Sequence, residues 1–291
     1  MLSGWTTHGR LACPYCMDET DAFWLQHGRK MSWFDSHRRF LPRNHVLRRN
    51  KKNFRRNIVV VDSAPLEHTG DEILLERIEE CVRSHGLSTT SVVGGNGHLP
   101  IEGYGDYHNW HKKSIFWELP YWRHHKLRHN LDVMHIEKNF FDNIINTVLN
   151  VAQKTKDNIN SRKDIGLICS RKDLELTPDG KAPVPIFRVF GEAKMNFFRW
   201  LQEDVKFPDG YSSNISRCVD LGGKKLTGMK SHDCHVFMQR LLPIAFAEIL
   251  PEHVNQAISG ISNFFREICS RTLKNEDVQL MKQNIVLIWC N

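Results

Sequence analysis

His129-Asn-Leu-Asp-Val-Met-His-Ile-Glu-Lys-Asn139 opens the most regular stretch of this 291-residue chain. From Leu131 to Asn150 the apolar residues Leu131, Met134, Phe141, Ile145 and Val148 recur at three-to-four residue spacing. That is the period of an amphipathic helix, and no proline or glycine interrupts it. The run Lys154-Thr-Lys-Asp-Asn158 is placed to stop it. At ~100° per residue, Glu137 falls among Met134, Phe141, Ile144 and Val148, on the apolar side. An ionised carboxylate is costly there unless it is paired or holds a cation. Lys138, at the edge of that face, is the simple partner. The functional alternative is a Mg²⁺ or Mn²⁺ ligand at a phosphoryl-transfer centre. Asp132 reads as an acid favoured by the positive end of the helix.

Working outward, Cys13-Pro-Tyr-Cys16 supplies two soft donors at the spacing of half a tetrahedral zinc site. It is the one Cys-x-x-Cys among eight cysteines. The other half is expected from His129, in the loop before the helix, and His135, in its first turns. His124 and His125 rival His129 and stay open as alternatives. A pair of buried thiols or a redox pair is the competing reading of Cys13 and Cys16.

The net charge of +7 is concentrated. Between His27 and Asn57 lie eleven Lys or Arg against one acid, Asp35, so the rest of the chain is net acidic. Arg38, Arg39, Arg43, Arg48, Arg49, Lys51, Lys52, Arg55 and Arg56 are the candidate phosphate contacts, interleaved with the aromatics Trp33, Phe34, Phe40 and Phe54. The bland reading is a solvated basic surface anchored by core aromatics. With 41% hydrophobic and 25% charged residues, the chain has enough apolar content for a sizeable core. No run long enough to span a membrane occurs, no secretory leader is read at the N-terminus, and a reduced intracellular protein is expected.

The coarse organisation is a turn-rich knuckle over residues 8–26, a basic arm over 27–57, and a short strand over 58–62. A helix follows over 71–84, then a Gly/Ser/Thr/Asn-rich flexible linker over 85–105. Gly94-Gly-Asn-Gly97 lacks the Gly-Lys-Ser/Thr ending of a phosphate loop. Tyr107–Trp122 is dense in aromatics. Beyond the 131–150 helix, further helices are expected over 186–205, 234–250, 254–273 and 278–289. A domain boundary is placed near Gly222-Gly223, giving regions 1–225 and 226–291. Ser231-His-Asp-Cys-His235 reads as a helix start rather than a second metal cluster.

These segments are similar to those of plant CACTA (En/Spm-type) transposases. The matching stretches are Leu2-Ser-Gly-Trp5, Gly9-Arg-Leu-Ala-Cys-Pro-Tyr-Cys16, His27-Gly-Arg-Lys30, His37-Arg-Arg-Phe-Leu-Pro42 and Lys112-Lys-Ser-Ile-Phe-Trp-Glu-Leu-Pro120. They continue through Leu127–Asn139, Phe207-Pro-Asp-Gly-Tyr-Ser-Ser-Asn214 and Met229–Pro243. The resemblance implies an α+β, mostly helical fold containing part of an RNase H-like core with a zinc knuckle. From about Leu226 it passes to the start of the uncharacterised helical domain that follows this core in plants. It also implies nuclear location, DNA and other transposase copies as partners, no small-molecule substrate, structural zinc on Cys13, Cys16, His129 and His135, and Mg²⁺ or Mn²⁺ in the intact enzyme. The family's last catalytic acid falls on Glu137. Its first two acids lie upstream of the Leu-Ser-Gly-Trp segment, so the expectation is a transposase fragment without strand-cleaving activity of its own. The alternative is a retained zinc-dependent DNA-binding module.

Overall fold

The computed structural model describes residues 2–88 and 101–290. The fold is α+β and mostly helical, with two small two-stranded antiparallel sheets. Most of the expected linker, residues 89–100, lies outside the described residues. Its flanks are packed: Leu87 is buried and Ile101 rests against the same cluster. The chain forms two compact units, residues 1–40 with 61–131 and residues 41–60 with 132–291. The boundary expected near 225 falls inside the second unit.

In the first unit, β1 (Phe23–Leu25) pairs with β2 (Lys30–Ser32) with Phe23 opposite Ser32. A helical run follows: α1 (Gly70–Glu72), a π-helical turn (Ile73–Ile78) and α2 (Glu79–His85). Thr69 and Glu72 form a reciprocal capping box at its start, satisfying two otherwise orphaned donors. Gly86, with φ of 68°, ends it in the left-handed conformation that glycine adopts cheaply. Gly70 is required for contact: a Cβ there would lie 1.8 Å from the Arg123 carbonyl oxygen. The core is built on tryptophan, with Trp5, Trp110, Trp117 and Trp122 joined by Leu11, Met17, Ile73 and Ile78. Trp5 and Trp110 meet edge-to-face at 5.1 Å. A buried indole usually finds an acceptor for its N–H; Trp5 finds the Leu11 carbonyl at 3.0 Å and Trp117 the Ser3 carbonyl at 2.8 Å, whereas the Trp122 N–H has none.

The second unit contains α3 (Val133–Val148), α4 (Ile159–Ile168), α5 (Gly191–Glu203), the hairpin β3 (Val219–Asp220) and β4 (Lys225–Leu226), α6 (Ser231–Val236), α7 (Leu242–Ala245), α8 (Glu252–Ile268) and α9 (Asn275–Cys290). A π-helical turn, Phe237–Leu241, joins α6 to α7. α3, α5, α8 and α9 fall where the apolar periodicity expects helices, with ends shifted by up to five residues; α4 was not expected, and the helix expected over 234–250 is a run of α6, a π-helical turn and α7 that ends at Ala245. Asp132 is the N-cap of α3 rather than a first-turn residue: its carboxylate accepts from the backbone N–H groups of Met134 and His135 at 3.0 and 3.2 Å. One apolar core unites Phe141, Ile145 and Val148 of α3, Phe197 and Leu201 of α5, Phe237 and Leu242, and Ile258 and Phe265 of α8. It therefore mixes residues from both sides of position 225.

The strand expected over 58–62 does not form. Ile58, Val59 and Val61 are exposed. A β-branched run becomes a strand only beside a pairing edge, and here Val60 N–H donates to the Arg48 carbonyl instead.

Candidate functional sites

The basic segment has little regular structure of its own, so its backbone carbonyls need donors from elsewhere. Arginine, with five N–H groups in a planar fork, supplies them. Arg48 is buried and donates to the Leu41 and Val60 carbonyls, each at 3.0 Å. Arg38, also buried, pairs with Asp35 at 2.8 Å. Arg39 donates to the Glu19 and Ser63 carbonyls. Arg56 is exposed yet donates to the carbonyls of Gly166 and Cys169 at 2.9 and 3.0 Å. Arg38 and Arg48 are thus internal ties, a correction to the expectation that all nine bases face phosphate. Counting charge along a sequence does not distinguish a buried guanidinium from an exposed one.

Arg43, Arg49, Lys51 and Lys52 are exposed, and Arg55 is partly so. The loop that carries them is fixed to the end of α4. Arg56 N–H donates to Ile168 O and Ser170 N–H to Lys52 O, both at 2.7 Å, and Arg171 Nε donates to Asn53 O at 3.2 Å. Phe54 is 2% exposed and anchors the loop from inside. Trp33 and Phe40 present ring surface to solvent. The arrangement is a constrained loop that displays cations.

Cys13 and Cys16 sit on the turn entering a 3-10 helix, Met17–Glu19. The Cys16 N–H points at the Cys13 sulfur at 3.4 Å. The Cys13 thiol is lowered, first by the Cys16 thiol and further by the N–H groups of Cys16 and Tyr15; burial opposes them. The Cys16 thiol is raised, because it keeps the shared proton. A turn that stabilises one thiolate suits half a zinc site. His129 is buried, with its Nδ1 2.8 Å from the Ser3 hydroxyl and its ring edge-on to Tyr15 at 5.3 Å. His135 is exposed and belongs to the second unit, while His124 and His125 are exposed in the first.

Glu137 is fully buried, as its helical position requires. Its partner is not Lys138, which reaches one turn along α3 to Asp142 at 2.7 Å. Two side chains of the segment after β4 converge on it instead: His235 Nδ1 bonds one carboxylate oxygen and Gln239 Nε2 the other at 2.8 Å. Gln239 also donates to the Phe265 carbonyl. Glu137, His235 and Cys269 each bring a ligand atom within 4.8 Å of the others. Among the described residues this is the one group of three or more such side chains so gathered, and Cys13 and Cys16 are not in it. A magnesium ion selects hard oxygen donors. An imidazole, an amide and a thiol around one carboxylate do not fit that ion. His235, Gln239 and Cys269 were missed as partners of Glu137. Only the start of the Ser231–His235 stretch carried a signal, read as a helix start, and Asp233 does hold that start through the N–H groups of Lys230 and Ser213.

Comparison with known proteins gives one family. Residues 1–80 match the model described as Transposase family tnp2. The matched stretch contains Cys13, Cys16 and the whole basic segment, and supports a transposase-derived chain. No curated protein and no solved structure shows significant similarity. Among the described residues, no helix is long and apolar enough to cross a membrane.

Proposed function

We propose that this chain is a transposase-derived DNA-binding protein that engages duplex phosphates through the exposed bases Arg43, Arg49, Lys51 and Lys52 and the partly exposed Arg55. The observation that carries this reading is a loop of displayed cations, tied by its backbone to residues 168–171, lying within the segment that matches a transposase family. Such contacts release counterions, so binding weakens steeply with salt. Metal at Cys13 and Cys16 belongs to the same reading, supported by the lowered Cys13 thiol. His129 is in contact with that turn through the ring of Tyr15. The plant CACTA identity rests on the sequence resemblance.

The chain binds DNA in this reading without cutting it. The engagement of both Glu137 oxygens by His235 and Gln239 supports that part. The test is binding of a labelled duplex by the purified chain across a salt series, with Mg²⁺- or Mn²⁺-dependent nicking followed in parallel. Salt-sensitive binding without nicking is expected. Binding that ignores both salt and removal of the five bases contradicts the DNA-binding role, and nicking abolished by Glu137→Gln contradicts the absence of cleavage.

A further inference from the structure

We propose that Glu137, His235 and Cys269 form a binding site for one transition-metal ion of the zinc class, a site separate from the Cys13/Cys16 turn and independent of the DNA-binding reading. The three ligands come from α3, α6 and the residue that caps α8. One carboxylate oxygen, one imidazole nitrogen and one sulfur stand within 4.8 Å of one another. Ligands around a single tetrahedral zinc stand roughly 3.5 Å apart, so the group closes on an ion with small side-chain adjustments.

The chemistry of the donors selects the ion. Thiolate and imidazole favour zinc and its later first-row neighbours over magnesium or calcium. The charges call for a cation as well. Glu137 is fully buried, and the cation beside it on α3, Lys138, is committed to Asp142. The neighbouring Cys269 thiol is raised by burial and then by the Glu137 carboxylate, the effect of two anion-forming ligands sharing one space. A divalent ion compensates both: it binds the carboxylate and the imidazole and displaces the thiol proton to solvent. His235 is partly exposed and gives the ion a way in. A water completes the fourth position, since Gln239 turns its amide NH2 rather than its oxygen toward Glu137. The rival account is a metal-free hydrogen bond between His235 and Glu137.

Cobalt(II) separates the two, because thiolate-bound cobalt carries a near-ultraviolet charge-transfer band and tetrahedral cobalt an intense visible spectrum. The full chain carrying Cys13→Ser and Cys16→Ser is titrated with cobalt(II) in the presence of excess Mg²⁺. One equivalent with the charge-transfer band is expected. Adding Cys269→Ser should remove the band, and adding His235→Gln should weaken binding at least tenfold, while Cys290→Ser changes nothing. The same Cys269→Ser change in the chain with Cys13 and Cys16 intact should lower the bound cobalt by one equivalent, with the far-ultraviolet circular dichroism checking that the chain stays folded. A band that survives Cys269→Ser, an unchanged stoichiometry in the folded variant, or displacement of cobalt by Mg²⁺ overturns the proposal.

Discussion

His235 and Glu137 are 98 positions apart, yet His235 Nδ1 meets a carboxylate oxygen of a glutamate that has no solvent exposure. The contact fastens α6 to α3 across the core of the second unit. Removing one member of a buried pair strands the other. His235→Ala is therefore expected to cost roughly 3 kcal/mol, and Glu137→Gln, which keeps shape and hydrogen-bonding capacity, clearly less. Urea unfolding of the two variants checks the order. Equal losses would mean that packing, not the polar contact, sets the cost.

Asp157 gives this unit an acid-sensitive joint. It binds both Arg162, which is buried, and Arg188 at 2.9 Å. Burial alone would raise its carboxyl, but the hydrogen bonds and charges of Arg162 and Arg188 hold it below the ordinary range. A lowered carboxyl stabilises the fold above its unfolded value, about pH 4, and that stability is lost as the pH falls further. Asp157→Asn should cost about 3 kcal/mol at pH 7 by stranding Arg162. It should also flatten the fall in unfolding free energy on acidification. An undiminished acid slope in the variant contradicts this account of the joint.

The aromatics of the basic segment divide into two kinds. Phe54 is buried and Phe40 is exposed. Phe54→Ala should lower stability by about 3 kcal/mol through loss of core packing. Phe40→Ala should leave the unfolding midpoint nearly unchanged and act, if the ring stacks on bases, on single-stranded DNA affinity. Thermal unfolding and fluorescence anisotropy of both variants read the difference.

Cys13 is expected to be a thiolate at neutral pH, since the hydrogen bond from Cys16 lowers it to about 6 despite burial. Because the shift is downward, reactivity is present at pH 7 and is lost as the pH falls through about 6. Alkylation by iodoacetamide, located by peptide mass spectrometry, should show Cys13 labelled ahead of Cys234, whose burial pushes its thiol up to about 11. Zinc at the turn should protect Cys13. Labelling with a midpoint near pH 9 would remove the stabilised thiolate.

Much of the second unit could be read from periodicity. The spacing of Phe141, Ile145 and Val148 located α3, and the same wheel marked Glu137 as buried. Its partners could not be read, because His235 and Gln239 reach it only after the chain has passed through α4, α5 and a hairpin. Local pattern reports which face is inside, not what meets it there. The strand at 58–62 failed for the related reason that pairing depends on a neighbour. Burial of Arg38 and Arg48 was hidden because one pairs with a local carboxylate and the other serves backbone carbonyls of an irregular loop, which composition does not describe.

The most direct measurement is the salt dependence of duplex binding by the intact chain, compared with one in which Arg43, Arg49, Lys51 and Lys52 are replaced by glutamine. Each phosphate contact contributes roughly 0.9 to the slope of log affinity against log salt. If these four side chains hold phosphates, the variant should lose about 3 to 4 from that slope and bind more weakly at every salt. An unchanged slope, with the variant folded, would contradict the assignment of this loop as the DNA-facing surface.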